Sequence, residues 1–339
     1  MWCIFLVLLI TPFVIPSIVL GEKVDKDLTE KNPLDLEFTY QGEKIDFNMG
    51  MFYFKTGVQG EYNVEIWYEI PNKNLQFKAS EDKNFKNKLV TKLILSINAF
   101  SQGEKIENRS QLWSVAFAID DENEAKEPDK TVMGNLNFTL KAGTYVVKLG
   151  VTDAISQKIG IEKIKFVIPE FDESKIQFSS FKYVDKVEEP LEKGSEDDIY
   201  YVKDVEKRIF PNIQNKFKTE SEFNVFYEIY NLKVDSMDKP DFVITYYFNR
   251  IEKPEKEDEP VKIHKVYKKT ITCPKDSQGS ISRQIYMFKL FKEIEHPKTK
   301  EMKPLFIPGS YEMIVDIVDR NRSEDDQEKG IKSSFIIEE

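Results

Sequence analysis

Apolar residues recur along this chain with a period of two. Tyr62, Val64, Ile66, Tyr68 and Ile70 alternate with Asn63, Glu65, Trp67 and Glu69 as far as Pro71. Leu93, Leu95 and Ile97 repeat the pattern, followed by Trp113, Val115, Phe117 and Ile119, then Leu136, Phe138 and Leu140. Side chains two apart share one face of a strand, so each run predicts a strand with one buried face. Later runs include Phe242, Ile244, Tyr246 and Phe248, a return strand over 266–272 and an apolar patch over 285–291. No segment sustains the period of a long amphipathic helix. An all-β fold is expected.

One hairpin pattern occurs twice. Gly143-Thr144-Tyr145 opens the alternation Tyr145, Val147, Leu149 and Val151 and closes at Asp153. Gly309-Ser310-Tyr311 opens Tyr311, Met313, Val315 and Ile317 and closes at Asp319. Each glycine enters a strand and each aspartate ends it with a turn former. A second apolar run follows each copy, ending in Phe166-Val167-Ile168 or Phe335-Ile336-Ile337. A tyrosine near the start of the penultimate strand is the pattern of immunoglobulin-like sandwiches. Glu61-Tyr62-Asn63-Val64 and Glu222-Phe223-Asn224-Val225 form a second internal correspondence.

The expected architecture is therefore two tandem immunoglobulin- or fibronectin-like β-sandwiches, over 34–169 and 170–339. The boundary falls at Pro169-Glu170-Phe171-Asp172-Glu173, and a charged insertion over 187–198 interrupts the second unit. Residues 2–20 are almost unbroken apolar and 19–21 offer a small-residue cleavage site, so 1–21 reads as a secretory signal peptide. No basic residue precedes the run, and its length leaves an uncleaved membrane anchor as the alternative; two internal prolines weigh against that. Residues 22–33 read as a flexible lead-in.

Composition narrows the function classes. With 339 residues there is room for two domains of ordinary size, and 25 Phe and 15 Tyr suit pleated, half-buried surfaces. A net charge of -10 without a basic stripe argues against nucleic acid as a partner. Beyond Cys3 the sole cysteine is Cys273, which ends a β-branched run and is expected to be a small core hydrophobe. The exported chain would then hold itself together by core packing alone.

Catalytic chemistry finds little footing. The two histidines, His264 and His296, stand apart in Lys-rich surroundings and are expected on the surface. No phosphate loop, dinucleotide fingerprint, zinc motif or nucleophile elbow is present in the sequence. No catalytic residue, cofactor or metal is assigned. The stretch 120–130 is expected to be a loop. Its Asp120-Asp121-Glu122-Asn123-Glu124, like Ser323-Glu324-Asp325-Asp326, offers oxygen ligands but lacks calcium-loop spacing. Trp67 points away from the face that Tyr62, Val64 and Ile66 bury, and Phe226 and Tyr230 take the corresponding side of the second unit. These three either pack beneath loops or at a domain contact, or form an exposed aromatic platform for a partner or a sugar ring.

The stretch Val64-Glu65-Ile66-Trp67-Tyr68-Glu69-Ile70-Pro71-Asn72 with Leu75 and Phe77 resembles the N-terminal extracellular region of bacterial proteins named for a Gly-Trp-x-Thr-Asp (GWxTD) domain. Gly143-Thr144-Tyr145, Lys175-Ile176-Gln177-Phe178, Phe210-Pro211-Asn212, Phe226-Tyr227-Glu228-Ile229-Tyr230-Asn231-Leu232 and Gly309-Ser310-Tyr311 carry the same likeness. The Gly-Trp-x-Thr-Asp segment itself has no counterpart here, so no activity tied to it is implied. The resemblance implies an exported, envelope-associated bacterial protein. The expected function is non-enzymatic binding or scaffolding at the cell envelope, with a protein or envelope component as partner. A carbohydrate-active or carbohydrate-binding accessory protein is the alternative.

Overall fold

The computed structural model describes residues 44–101, 104–105, 111–190, 199–202, 205–219, 221–252, 261–273, 280–289, 293–295, 302–304, 306–322 and 328–338. The signal peptide or anchor, the lead-in, Leu34 to Phe38, His296 and the acidic stretch from Ser323 to Asp326 lie outside them. The chain is an all-β protein of β-sandwich domains. Two compact units divide it: residues 1–170 with 190–201, and residues 171–189 with 202–339. Ile199 and Tyr200, placed by their position in sequence within the second sandwich, thus group with the first unit. There the ring of Tyr200 lies 5.5 Å from that of Trp67.

In the first unit the strands are β1 (Asn48–Lys55), β2 (Glu61–Pro71), β3 (Lys78–Ala79), β4 (Leu89–Ser101), β5 (Glu104–Lys105) and β6 (Gln111–Ile119). After them come a short helix, α1 (Glu122–Lys126), then β7 (Thr131–Lys141), β8 (Gly143–Asp153) and β9 (Ile159–Ile168). One sheet has the order β1-β2-β7 and the other β3-β4-β8-β9, with β5 and β6 also paired to β4. The alternation foreseen for β2 is borne out: Tyr62, Val64, Ile66, Tyr68 and Ile70 are all buried. In the other sheet Leu93, Leu95 and Ile97 of β4 stand opposite Asp153, Val151 and Leu149 of β8, and all of these are buried. One corner of the unit is closed, since Ile45 donates to the Ile159 carbonyl at 3.0 Å and Tyr53 of β1 meets Phe166 of β9 edge to face.

The stretch 120–130 is not loop throughout. Asp121 caps α1, accepting from the backbone of Asn123 and Glu124 at 2.7 and 3.0 Å. A carboxylate in that position satisfies donors that a first helical turn leaves orphaned, which the acidic composition alone did not distinguish from a solvated loop.

The second unit contains β10 (Gln177–Phe178), β11 (Lys182–Glu188), β12 (Tyr201–Val202, whose first residue falls on the first unit's side of the division), β13 (Lys207–Pro211), β14 (Lys216–Lys218) and β15 (Glu222–Tyr230). It continues through β16 (Phe242–Glu252), β17 (Lys262–Thr272), β18 (Ser282–Lys289), β19 (Glu293–Glu295), β20 (Met302–Pro304), β21 (Gly309–Asp319) and β22 (Glu328–Glu338). The sheets run β10-β15-β11-β13-β12, with β18 on β15, and β14-β22-β21-β16-β17; β19 and β20 pair with each other. Between them lies an aromatic core. Phe248 alone meets Phe288 at 4.9 Å, Phe306 at 5.7 Å and Phe335 at 6.3 Å. Ring pairs at these separations contribute packing beyond their buried area.

The same strand order recurs in both units. β6-β4-β8-β9 and β17-β16-β21-β22 are each joined antiparallel throughout. The hairpin geometry recurs with it. Gly143 and Gly309 have φ of 154° and 151°, and four residues separate each tyrosine hydroxyl from the carbonyl that it bonds. Tyr145 donates to Lys141 at 3.0 Å and Tyr311 to Ile307 at 2.8 Å. This is the tyrosine corner of immunoglobulin-like sandwiches.

Candidate interaction surface

Strand β6 reads Gln-Leu-Trp-Ser-Val-Ala-Phe-Ala-Ile, without a charge, proline or glycine. Its register with β4 sets Trp113 opposite Leu95 and Val115 opposite Leu93. Those positions, with Phe117 and Ile119, therefore lie on the core face, and Phe117 and Ile119 are fully buried. Leu112, Ser114, Ala116 and Ala118 take the other face, where Ser114 and Ala118 are buried as well. Leu89 and Val90 pair with both β3 and β6, and Leu93 to Ile97 with both β6 and β8. Hence β3 and β8 flank β4 on one side and β6 flanks it on the other. Among the described residues β6 pairs with β4 only, so every second residue turns its N–H and C=O outward from the sheet.

The corresponding edge of the second unit is built differently. β17 pairs with β16 along its length and carries Lys262, Lys265, Lys268 and Lys269. Lysines on an edge oppose pairing with another strand, because a neighbour must leave their ammonium groups solvated. His264 is exposed on this strand. Its Nε2 lies 3.0 Å from Glu252 Oε2, and this contact is the main reason that the Glu252 carboxyl sits below the ordinary range.

Where β6 ends, a groove of about 590 Å³ opens, lined by Leu75, Phe77, Leu89 and Ala125 among others, with Lys73 and Lys78 beside them. Asn72 pins its two sides, donating its backbone N–H to the Lys130 carbonyl at 2.9 Å and its side chain to the Glu124 carbonyl at 3.3 Å. Glu124 is buried and accepts from the Asp120 backbone at 3.0 Å. Burial is what raises its carboxyl above the ordinary range.

Trp67, Phe226 and Tyr230 are each 2% exposed, so they form no exposed platform. Trp67 stacks near Tyr200 and donates its indole N–H to Glu65 at 2.8 Å. Phe226 lies beneath the ammonium group of Lys182. Tyr230 donates to Glu228 at 2.6 Å, whose other oxygen takes Arg283 at 2.7 Å, and the ring meets Phe171. Alternation identified the face on which these rings lie. It did not reveal that this face is covered too. Cys273 is half-buried, with its sulfur 3.4 Å from the Pro240 carbonyl. Among the described residues, no three His, Cys, Asp or Glu side chains are grouped to hold a metal ion, and no helix is long and apolar enough to cross a membrane.

No protein-family model matches the sequence, and no curated protein does. Among solved structures, the chain is similar to a β-glucuronidase from Parabacteroides merdae. The identity is 9% and the TM-score 0.21, over 80% of this chain and 27% of that one. It is also similar to a trypsin-activated alpha-2-macroglobulin from Escherichia coli, at 10% identity and a TM-score of 0.22, over 87% of this chain and 17% of that one. The chain thus spans well under a third of either protein.

Proposed function

We propose that the chain is an exported, non-enzymatic module of two tandem sandwiches that binds or scaffolds a protein or other component of the bacterial cell envelope. The observation that carries this reading is the β6 edge, which is uncharged and, among the described residues, paired on one side only, a surface suited to strand addition. The recurring tyrosine corner and strand order support descent of the two units from one duplicated sandwich. The apolar run over 2–20 supports export, and the resemblance to the extracellular region of GWxTD proteins supports the envelope. A sugar-binding role loses its aromatic candidates to burial.

The test is a photo-crosslinking residue placed at Ala116 in the full chain and irradiated in bacterial cells. Strand addition predicts an adduct in the envelope fraction, absent when the crosslinker stands at Lys268 on β17. No adduct from position 116, or turnover of a glycan by the purified chain, overturns the reading.

A further inference from the structure

The groove beside the end of β6 is bounded on one side by α1 and on the other by the short helical turn Asn72–Asn74 and the segment after it. α1 packs against that turn and against β6. The contact centres on Asn72, which is 1% exposed, and Glu124, which is 6% exposed. Asn72 donates to the carbonyls of Lys130 and Glu124, and Oε2 of Glu124 accepts from the Asp120 backbone. These bonds leave two buried oxygens over. Asn72 Oδ1 and Glu124 Oε1 have no hydrogen-bond partner among the described residues. An amide oxygen and an ionised carboxylate can only accept, so neither can satisfy the other. A proton on Glu124 changes that, because a carboxylic acid donates through its O–H. The bond from Asn72 Nδ2 to the Glu124 carbonyl already ties the amide to the residue that would supply the proton.

The surroundings of Glu124 favour that proton. Burial is the largest influence and disfavours the charged form; the Asp120 backbone bond and the Lys130 ammonium group oppose it, and the Asp120 and Asp121 carboxylates reinforce it. On the elements packed here, the turn carries a single charge, Lys73, which is exposed, and β6 carries none. Within α1, Glu122 and Lys126 are exposed and pair with each other at 3.4 Å. Glu124 stands three residues after the Asp121 cap and reaches back to the backbone before it, in the manner of a capping box. One side chain thus serves both the first turn of α1 and the attachment of α1 to its neighbour.

We propose that Glu124 is a proton-operated latch: neutral, it donates to Asn72 Oδ1 and fastens α1 to the turn; ionised, it releases α1 and the groove widens. A carboxyl held above its ordinary range adds stability that is fully present below the unfolded value of about 4.3. That stability is lost as pH rises through the folded value, so the latch closes in acid and opens towards neutral pH. It needs no partner, and its failure leaves the proposed function standing. Carbon-13 NMR of the full chain with labelled glutamate carboxyls tests it, the Glu124 resonance being the one missing from Glu124→Gln. That resonance is expected to titrate above the ordinary glutamate value. Through the same pH interval the Asn72 backbone amide is expected to lose about tenfold of its hydrogen-exchange protection, after correction for the intrinsic rate. Glu124→Gln, whose amide donates at every pH, is expected to keep that protection constant. Asn72→Leu keeps the site apolar but removes the acceptor, and is expected to lower the pH at which Glu124 titrates. A Glu124 carboxyl that titrates at the ordinary value, or is unmoved by Asn72→Leu, overturns the proposal. So does a Glu124→Gln variant that loses protection in step with the wild type.

Discussion

Asp153 and Asp319 are both fully buried, and each ties the end of its hairpin to a loop far away in sequence. Asp153 accepts from the backbone of Gln76 at 2.8 Å and of Ile155 at 2.9 Å, and from the Ser156 hydroxyl at 2.7 Å. Asp319 accepts from the backbone of Lys233 at 2.8 Å and of Asn321 at 3.0 Å, with Arg322 at 3.4 Å. In both cases the distant donor lies in the loop after the long strand that pairs at the centre of the other sheet, β2 or β15. Charge-assisted bonds of this kind are the stronger ones, and removing the acceptor strands backbone donors. Asp153→Ala and Asp319→Ala are each expected to cost about 2–4 kcal/mol, read from urea denaturation. Tyr145→Phe and Tyr311→Phe remove a single neutral bond and are expected to cost about 1 kcal/mol each. A larger loss for the phenylalanine variants than for the alanine ones would refute this ranking.

At the scale of elements, glycine decides where β7 approaches β2. A Cβ on Gly134 would stand 2.3 Å from the hydroxyl of Tyr68, whose ring is buried and has little room to withdraw. Gly134→Ala is therefore expected to destabilise the first unit by about 1–3 kcal/mol. Gly57→Ala meets nothing within 4 Å, so thermal melting of the two variants side by side separates crowding from the general effect of losing a glycine. The contrast between β6 and β17 belongs to this scale as well. Hydropathy alternation identified both as strands, yet lysine content acquires meaning only once both are seen to occupy edges.

For the whole molecule, the aromatic cores imply a particular response to alkaline pH. The Tyr227 and Tyr246 hydroxyls lie 2.5 Å apart, and burial raises both far above the ordinary phenol range. Burial also raises Tyr183 and Tyr286, and pushes Tyr53 up to about 12. In the unfolded chain these groups ionise near 10. Above that pH the unfolded state sheds protons that the folded state retains, so stability is fully present below about pH 10 and falls as pH rises. Guanidinium midpoints should hold steady up to about pH 10 and decline beyond it, with phenolate absorbance from the buried rings appearing only as the chain unfolds. Early phenolate absorbance at full native structure would contradict the burial of these rings.

Much of the fold was legible in the residues alone. The period of two marks strands because successive side chains leave opposite faces of a pleated backbone, and the Gly-hydroxyl-Tyr hairpins announced their own corners. Strand identity, the buried face of β2 and the sandwich class follow from such local regularities. Burial of Trp67, Phe226 and Tyr230 does not, since alternation assigns a side chain to a face without saying what covers that face. Nor does the grouping of Tyr200 with Trp67, which joins residues more than a hundred positions apart. Local sequence determined which segments are strands and which way their side chains point. Only the tertiary structure decided which strands end a sheet, because an edge is defined by the neighbour that is missing, and hydrogen-bond partners distant in the chain leave no periodic trace in it.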